Sequence, residues 1–162
     1  STEISLIHQG ILRSSRSYNI GTVRLLKGKV VPSVYNRLKR DLNKLRKQYP
    51  VITIIGSGGN INKLFRLAKL PAKNKMTLPV EKLVLNNTLK NYSLEERARL
   101  YNLKPDRADV ITNAADIFLL VAEHTQAKHI VVPTIGLVDG IIDSLYLQHH
   151  KTPEEQIPLP IY

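Results

Sequence analysis

Five small residues form the stretch of this chain with the clearest chemical potential: Gly56, Ser57, Gly58, Gly59 and Asn60. They follow the apolar run 51–55 and precede a helix-like segment, 61–70. A strand that ends in glycines and opens a helix presents bare backbone N–H groups and the positive end of a helix dipole, which together suit an anion such as phosphate. Plain turn formation is the competing interpretation, because small residues are common where a strand meets a helix.

The charge of the chain also points to anionic partners. Lysine and arginine number 24 against 13 acidic residues, so the formal net charge is +11 and the surface attracts phosphate-rich molecules. The most basic segment, 37–47, has no interleaved aromatic residues, and no motif of a module that reads DNA or RNA is present. The pattern therefore disfavours nucleic acid and favours a solvated helix face for that segment.

Composition narrows the class of protein further. With 162 residues and 43% hydrophobic content, the chain can fill one domain. The absence of cysteine excludes disulfides and thiolate sites and fits a cytoplasmic location, and the five histidines lack the spacing of metal ligands. No run reaches the length of a membrane-spanning helix and no leader stands at the start, so we expect a soluble protein without a membrane partner.

Periodicity predicts the first elements. Segments 3–8 and 11–20 alternate as strands and meet at Gln9-Gly10, which predicts a hairpin. Ser33 is expected to cap an amphipathic, outwardly basic helix that ends at Pro50. The β-branched run 51–55 has the composition of a central strand covered on both faces.

The remaining elements follow the glycine-rich turn. We expect a helix from Ile61, a loop over 71–76, a helical segment over 79–90, and a further helix opened by a capping box at Ser93 and Glu96. Segment 109–123 is apolar around most of its circumference, which predicts a helix buried against the sheet. Its expected core-facing residues are Val110, Ala114, Ile117, Phe118 and Val121.

The end of the chain repeats the strand-to-glycine-to-helix pattern. A short buried strand is predicted over 129–132, then a turn containing Gly136 and a last helix through Ile141 and Leu147. Residues 151–162 form a Pro-rich tail. Two strand-to-glycine junctions at strand carboxyl ends would border one crevice, which is where open α/β sheets bind ligands. The layout predicts a mixed α/β protein with a phosphate cleft.

Five short motifs follow one another along residues 1 to about 147: Ser17-x-x-Ile20-Gly21-x-Val23-Arg24-Leu25, Gly56-Ser57-Gly58-Gly59-Asn60, Tyr92-Ser93-Leu94-Glu95-Glu96-Arg97, Pro105-Asp106-Arg107-Ala108-Asp109-Val110-Ile111 and Gly136-Leu137-Val138-Asp139-Gly140-Ile141. In this order and spacing they resemble the exopolyphosphatase and guanosine pentaphosphate phosphatase family. The resemblance implies an RNase H-like lobe of the actin-like ATPase superfamily, with a mixed sheet and helices on both faces. Residues 1–150 would be the second of two lobes, with the first lobe absent.

The family hydrolyses a terminal phosphoanhydride of polyphosphate or of guanosine pentaphosphate with the help of a divalent metal, here expected to be Mg²⁺. Its second lobe opens with a phosphate-binding loop, Asp-x-Gly-Gly-Gly-Ser-Thr-Glu, and this chain begins Ser1-Thr2-Glu3. The resemblance implies that Ser1 and Thr2 contact phosphate, that Ser1 and Glu3 act in catalysis, and that Glu3 helps to hold the metal or its water. The residues from Gly56 to Asn60 would wrap the phosphates from the other side, and Arg107 is a cationic candidate for the polyanion, or else an exposed charge at a helix start.

Two positions depart from the family pattern. Asn60 stands where threonine is common, and Val138-Asp139 replaces a more usual Arg-Glu pair, which removes one cation near the cleft. The general-base glutamate of the family belongs to the first lobe, so we expect the fragment alone to be inactive.

Two further functions stay open. One is a non-catalytic module that binds polyphosphate, a nucleotide or nucleic acid, and the other is a lobe of a sugar or acetate kinase. Whether the substrate is polyphosphate or guanosine penta- or tetraphosphate is left open, as is a homodimer.

Overall fold

The chain opens with an antiparallel hairpin. The structure, a computed structural model, describes residues 1–71 and 76–133, with backbone alone for 84–87. Strands β1 (Thr2–His8) and β2 (Ile11–Tyr18) pair in register from one end to the other, with one bulge. The two loop residues, Gln9 and Gly10, both have positive φ, 54° and 74°, which is the twist that a tight two-residue hairpin requires. The predicted hairpin is confirmed.

Two helices follow the hairpin. The short α1 (Thr22–Leu26) was not expected, whereas α2 (Pro32–Gln48) is the predicted amphipathic helix and buries Leu38 and Leu42. The prediction that Ser33 caps α2 is wrong. Val31 is the N-cap residue and Pro32 takes the first helical position, where its missing N–H and fixed φ cost nothing, so Ser33 already lies inside the helix.

A three-stranded sheet forms the second strand layer. Its order is β3 (Ile54–Ile55), β5 (His129–Val131), β4 (Thr77–Pro79), with β3 parallel and β4 antiparallel to β5. The central strand is therefore β5, which places Ile130 in full burial. The strand β4 was not predicted.

The expectation of a central strand over 51–55 is wrong within the described residues. Only Ile54 and Ile55 pair, they lie at an edge of the sheet, and Val51 and Ile55 are 89% and 66% exposed. An apolar run is compatible with a buried strand, but burial depends on the elements that pack on its two faces, and among the described residues none covers the face that carries Ile55.

The remaining helices surround this sheet. They are α3 (Gly59–Leu67), a 3₁₀ helix (Val80–Val84), α4 (Leu85–Lys90), α5 (Leu94–Leu100), α6 (Pro105–Ala108) and α7 (Ile111–Thr125). The predicted capping box of α5 is confirmed, with Ser93 and Glu96 bonded reciprocally. The helix predicted over 109–123 is α7, which begins two residues later because the chain turns at Asp109 and Val110, and the short α6 before that turn was not predicted.

Helix α7 separates two apolar clusters. The first joins α3, the three-stranded sheet and α4 to α7 through residues that include Ile61, Ile111 and Ile130. The second joins the hairpin and α2 to α7 and is built on Tyr18, Ile20, Leu38, Leu42 and Ile117. Among the expected core-facing residues, three are buried and two half-buried: Val110, Ala114 and Ile117, then Phe118 and Val121.

The mixed α/β fold class is confirmed. Most of the loop predicted over 71–76, the turn at 136–140, the last helix and the tail at 151–162 lie outside the described residues. Among the helices of the described part, none has both the length and the apolar character needed to cross a membrane.

Candidate phosphate-binding site

The glycine-rich turn starts under close packing. The N–H of Gly56 donates to the carbonyl of Val131 at 2.8 Å, which continues the pairing of β3 with β5. A Cβ on Gly56 would lie only 3.0–3.1 Å from side-chain atoms of Ile61, Ile130 and Phe118. Position 56 therefore favours glycine, because the backbone passes close to the first apolar cluster and a Cβ there would push its side chains by a few tenths of an ångström.

Helix α3 begins with uncapped backbone donors. Gly58 is its N-cap residue, with φ at 109°, and no side chain makes a cap hydrogen bond there. A φ of this value is open to glycine and strained for other residues. Since the first N–H groups of a helix lack partners within the helix, those at the start of α3 remain directed toward a ligand or solvent.

Arg107 reaches the same helix start from α6. Its Nη1 donates to Asn60 Oδ1 at 2.5 Å, and its Nη2 lies 2.8 Å from the place that a Cβ on Gly59 would occupy. The guanidinium therefore occupies the space that a side chain at position 59 would take, and the contact depends on Gly59. The structure thus brings Arg107, which the sequence suggested as a separate candidate, to Gly59 and Asn60 of the glycine-rich turn.

The arrangement has an electrostatic consequence. The start of a helix carries a partial positive charge, and a guanidinium held against it adds a full one, so the two groups repel each other in the absence of an anion. A phosphate oxygen near both would accept hydrogen bonds from backbone N–H groups and from the guanidinium together. Ser57 is exposed on the approach to this place.

Glu3 is held by two hydroxyl groups on the hairpin. Its Oε1 accepts from Ser17 Oγ at 2.7 Å and from Ser1 Oγ at 3.0 Å. These bonds, the one from Ser17 most of all, hold the pKa of the Glu3 carboxyl below its usual value and keep it ionised. Ser17 lies in one of the quoted motifs, but its motif predicted no role for it.

Thr2 and the turn after β2 fix the start of the chain. Thr2 Oγ1 donates to the carbonyl of Ile20 at 2.6 Å, so its hydroxyl proton is committed to the backbone and not directed at a ligand. A Cβ on Gly21 would lie 2.8 Å from the backbone N of Ser1. Gly21 belongs to one of the quoted motifs, and its lack of a side chain lets the backbone of Ser1, just before β1, pass close to it.

The two groups of predicted site residues are linked through α7. Helices α1 and α3 both pack on α7, and Asn113 of α7 donates to the carbonyl of Thr22 at 3.3 Å. Among the described residues, no hydrogen bond joins Ser1, Thr2 or Glu3 to the glycine-rich turn or to Arg107.

A metal site at Glu3 would rest on one carboxylate. No group of three or more His, Cys, Asp or Glu residues gathers within the described part of the chain. Mg²⁺ commonly takes one or two protein carboxylates and completes its octahedron with waters and substrate phosphates. An ionised, exposed Glu3 fits that use of a single hard oxygen ligand. Asp139, another carboxylate of the quoted motifs, lies outside the described residues.

A family model described as the Ppx/GppA phosphatase family matches residues 1–149. Among solved structures, an Aquifex aeolicus member of the Ppx/GppA family superposes with a TM-score of 0.70 at 23% identity, covering 93% of this chain and 54% of that chain. None of the curated proteins matches the chain.

Two further structures are similar. The type II variant of the Aquifex aeolicus Ppx/GppA phosphatase has a TM-score of 0.69 and 25% identity, over 88% of this chain and 52% of that one. An exopolyphosphatase from Cytophaga hutchinsonii has a TM-score of 0.68 at 17% identity, over 92% of this chain and 54% of that one, and shows the fold alone. The chain therefore spans about half the length of these relatives and has their actin-like ATPase fold.

Proposed function

Because the chain belongs to the Ppx/GppA phosphatase family, we propose that it is the phosphate-binding lobe of a phosphoanhydride hydrolase that releases phosphate from polyphosphate or guanosine pentaphosphate. The observation that carries the proposal is the contact of Arg107 with Gly59 and Asn60 at the uncapped start of α3. A cation and free helix N–H groups converge there and repel each other, whereas an anionic ligand between them would be attracted to both.

Glu3 has the second role in this proposal. Hydrogen bonds from Ser17 and Ser1 keep its carboxylate ionised and fix its position on the hairpin. Glu3 would bind Mg²⁺ or a water of its shell, and bound Mg²⁺ would neutralise phosphate charge during hydrolysis. The magnesium, the cytoplasmic location and a homodimer stay predictions.

The test is phosphate release by the protein that also carries the upstream lobe. With Mg²⁺ present, we expect release from long-chain polyphosphate or from guanosine pentaphosphate. Glu3→Ala should lower kcat roughly 10–100-fold, as changes around a metal site do, with little change in substrate binding. If the folded two-lobed protein releases phosphate from neither substrate, it is a binder and not a hydrolase.

Arg107→Gln separates binding from turnover in the same assay. Losing charge-assisted hydrogen bonds to a phosphate costs about 1.5–3 kcal/mol, so KM should rise roughly tenfold or more. Arg99→Gln is the matched control, because Arg99 is an exposed arginine of α5 for which the described part of the chain shows no hydrogen bond to the glycine-rich turn. An unchanged KM in the Arg107→Gln protein would contradict the proposal that Arg107 binds the phosphate.

A further inference from the structure

The outward face of α2 is a second cationic surface. We name it the α2 strip and define it by six side chains: Asn36, Lys39, Arg40, Asn43, Lys44 and Lys47. At 100° per residue these side chains share the arc of the helix that lies opposite the buried Leu38 and Leu42. The 17 residues of α2 give the helix a length of about 25 Å.

The strip contains no acidic residue. The single acid of α2, Asp41, faces the hairpin, where it accepts hydrogen bonds from Arg16 and Tyr18. Two other cations of α2 are also engaged: Arg37 contacts the Ser17 carbonyl and the Tyr18 ring, and Arg46 donates to Gln126. No acid of the helix therefore compensates the charge of the strip.

The four cations of the strip form no salt bridge in the part of the chain that the structure describes. Arg40 and Lys44 stand four residues apart and Lys44 and Lys47 three apart, so they face each other on the helix with like charge. Such pairs destabilise a helix by a few tenths of a kcal/mol each. A face that only had to be solvated would intersperse acids, as soluble surfaces commonly do.

The strip borders an open depression of about 570 Å³. Its lining adds Ser33 and His124 to residues of the strip, and Asn43 Oδ1 lies 3.1 Å from His124 Nδ1. Ser33 and the asparagines supply hydroxyl and amide donors beside the cations. Helix α2 packs on the side of α7 that carries Ile117, in the second apolar cluster, whereas the glycine-rich turn packs against Phe118 and the first cluster.

We propose that the α2 strip is a second binding surface for linear inorganic polyphosphate, separate from the glycine-rich turn. This inference rests on the proposed function, because it assigns the long polymer as the ligand of the same lobe. From Asn36 to Lys47 the strip is about 18 Å long, and a linear polyanion matches such a straight row of cations and amide donors in both charge and shape. Single-stranded nucleic acid is disfavoured because its binding surfaces stack bases on aromatic side chains, and the strip has none.

The test is binding of labelled long-chain polyphosphate to the 162-residue chain, measured by fluorescence anisotropy at several salt concentrations. The strip variant combines Arg40→Gln, Lys44→Gln and Lys47→Gln, since glutamine keeps helix propensity and removes charge. The matched control combines Lys82→Gln, Arg99→Gln and Lys128→Gln, which removes the same charge from exposed positions around the first cluster. Circular dichroism verifies that both variants fold.

The strip variant should bind polyphosphate at least about tenfold more weakly, with a salt slope smaller by about 2, while the control stays within about threefold. Tripolyphosphate, which is too short to span the strip, should bind both variants like the parent chain. Equal weakening by the control, or unchanged binding by the strip variant, overturns the proposal. Tighter binding of poly(dT) or duplex DNA than of polyphosphate overturns the choice of ligand.

The outcomes also separate this proposal from the proposed function. If strip-dependent binding is present but the two-lobed protein releases no phosphate, the hydrolase assignment fails and the strip stands. If phosphate is released but the strip variant binds long polyphosphate normally, the strip fails alone.

Discussion

The guanidinium of Arg107 and the first turn of α3 hold charge of the same sign at close range. Arg107 is held there by Asn60 and by the missing side chain of Gly59, and within the described residues it forms no salt bridge with a carboxylate. A protein keeps such a contact at some cost in stability, which an anionic ligand would reverse. The residue-scale features of the site therefore favour a ligand-dependent stability of the turn.

Only part of this site could be predicted from the sequence. The glycines and Arg107 were named as candidates, but their contact joins residues 47 positions apart, and no local pattern encodes such a distance. Ser17 and Gly21 belong to one of the quoted motifs, but the motif did not predict what either residue does. Their function in holding Glu3 and in admitting Ser1 depends on the register of the hairpin, which composition does not reveal.

A second residue-scale network predicts a pH dependence. Tyr18 donates to Asp41 at 2.7 Å and Arg16 donates to the same carboxylate oxygen at 2.9 Å. The Tyr18 hydroxyl, and then Arg16, lower the pKa of Asp41, so the stability from this carboxylate is present above its unfolded pKa and is lost as pH falls through the lower folded pKa. Burial, with Asp41 beside it, raises the pKa of Tyr18 to about 12.

The sign for Tyr18 is opposite. Its contribution is fully present below the ordinary pKa of 10 and is lost as pH rises through about 12. Tyr18→Phe should cost about 1.5 kcal/mol at neutral pH and should remove this alkaline loss of stability. Urea unfolding of both proteins between about pH 7 and pH 12 measures the difference. Tyr92→Phe is the control, and an identical alkaline slope in the Tyr18→Phe protein would contradict the assignment.

At the scale of elements, local sequence signals predicted most of the helices but not the pairing of the short strands. The hairpin, α2, α3 and the capped α5 follow from turn residues, periodicity and a capping box, all of which act within a few positions. The edge position of β3 and the three-residue strand β4 both depend on pairing with β5. Ile130 of β5 pairs with Ile54 of β3 and with Leu78 of β4, which lie 76 and 52 positions before it in the sequence. Pairing at that range leaves no local pattern to read.

Two serines give a matched test of helix capping. Ser93 accepts from the Glu96 N–H and is a true N-cap, whereas Ser33 lies inside α2 without that bond. Ser93→Ala should therefore lower the free energy of unfolding by about 1 kcal/mol, and Ser33→Ala should change it by less than about 0.5 kcal/mol. Chemical denaturation of the two variants gives the comparison, and an equal cost would mean that Ser33 does cap α2.

For the whole molecule, α7 is the element on which both apolar clusters depend. It contributes Ile111, Ala114 and Ala115 to the first cluster and Ile117 to the second, which explains why its sequence is apolar around most of its circumference. The glycine-rich turn packs on one side of this helix and α2 on the other. The candidate site and the α2 strip are therefore connected through a single buried helix.

This arrangement predicts that the lobe unfolds as one unit. Leu38→Ala in the second cluster and Leu64→Ala in the first should each cost about 2–5 kcal/mol, because each deletes a buried side chain and leaves a cavity. Since both clusters share α7, either variant should lower amide hydrogen-exchange protection in α2 and α3 alike, with one transition in urea. If Leu38→Ala loosened α2 while α3 kept the protection of the parent chain, the two clusters would be independent folding units, and the prediction would be wrong.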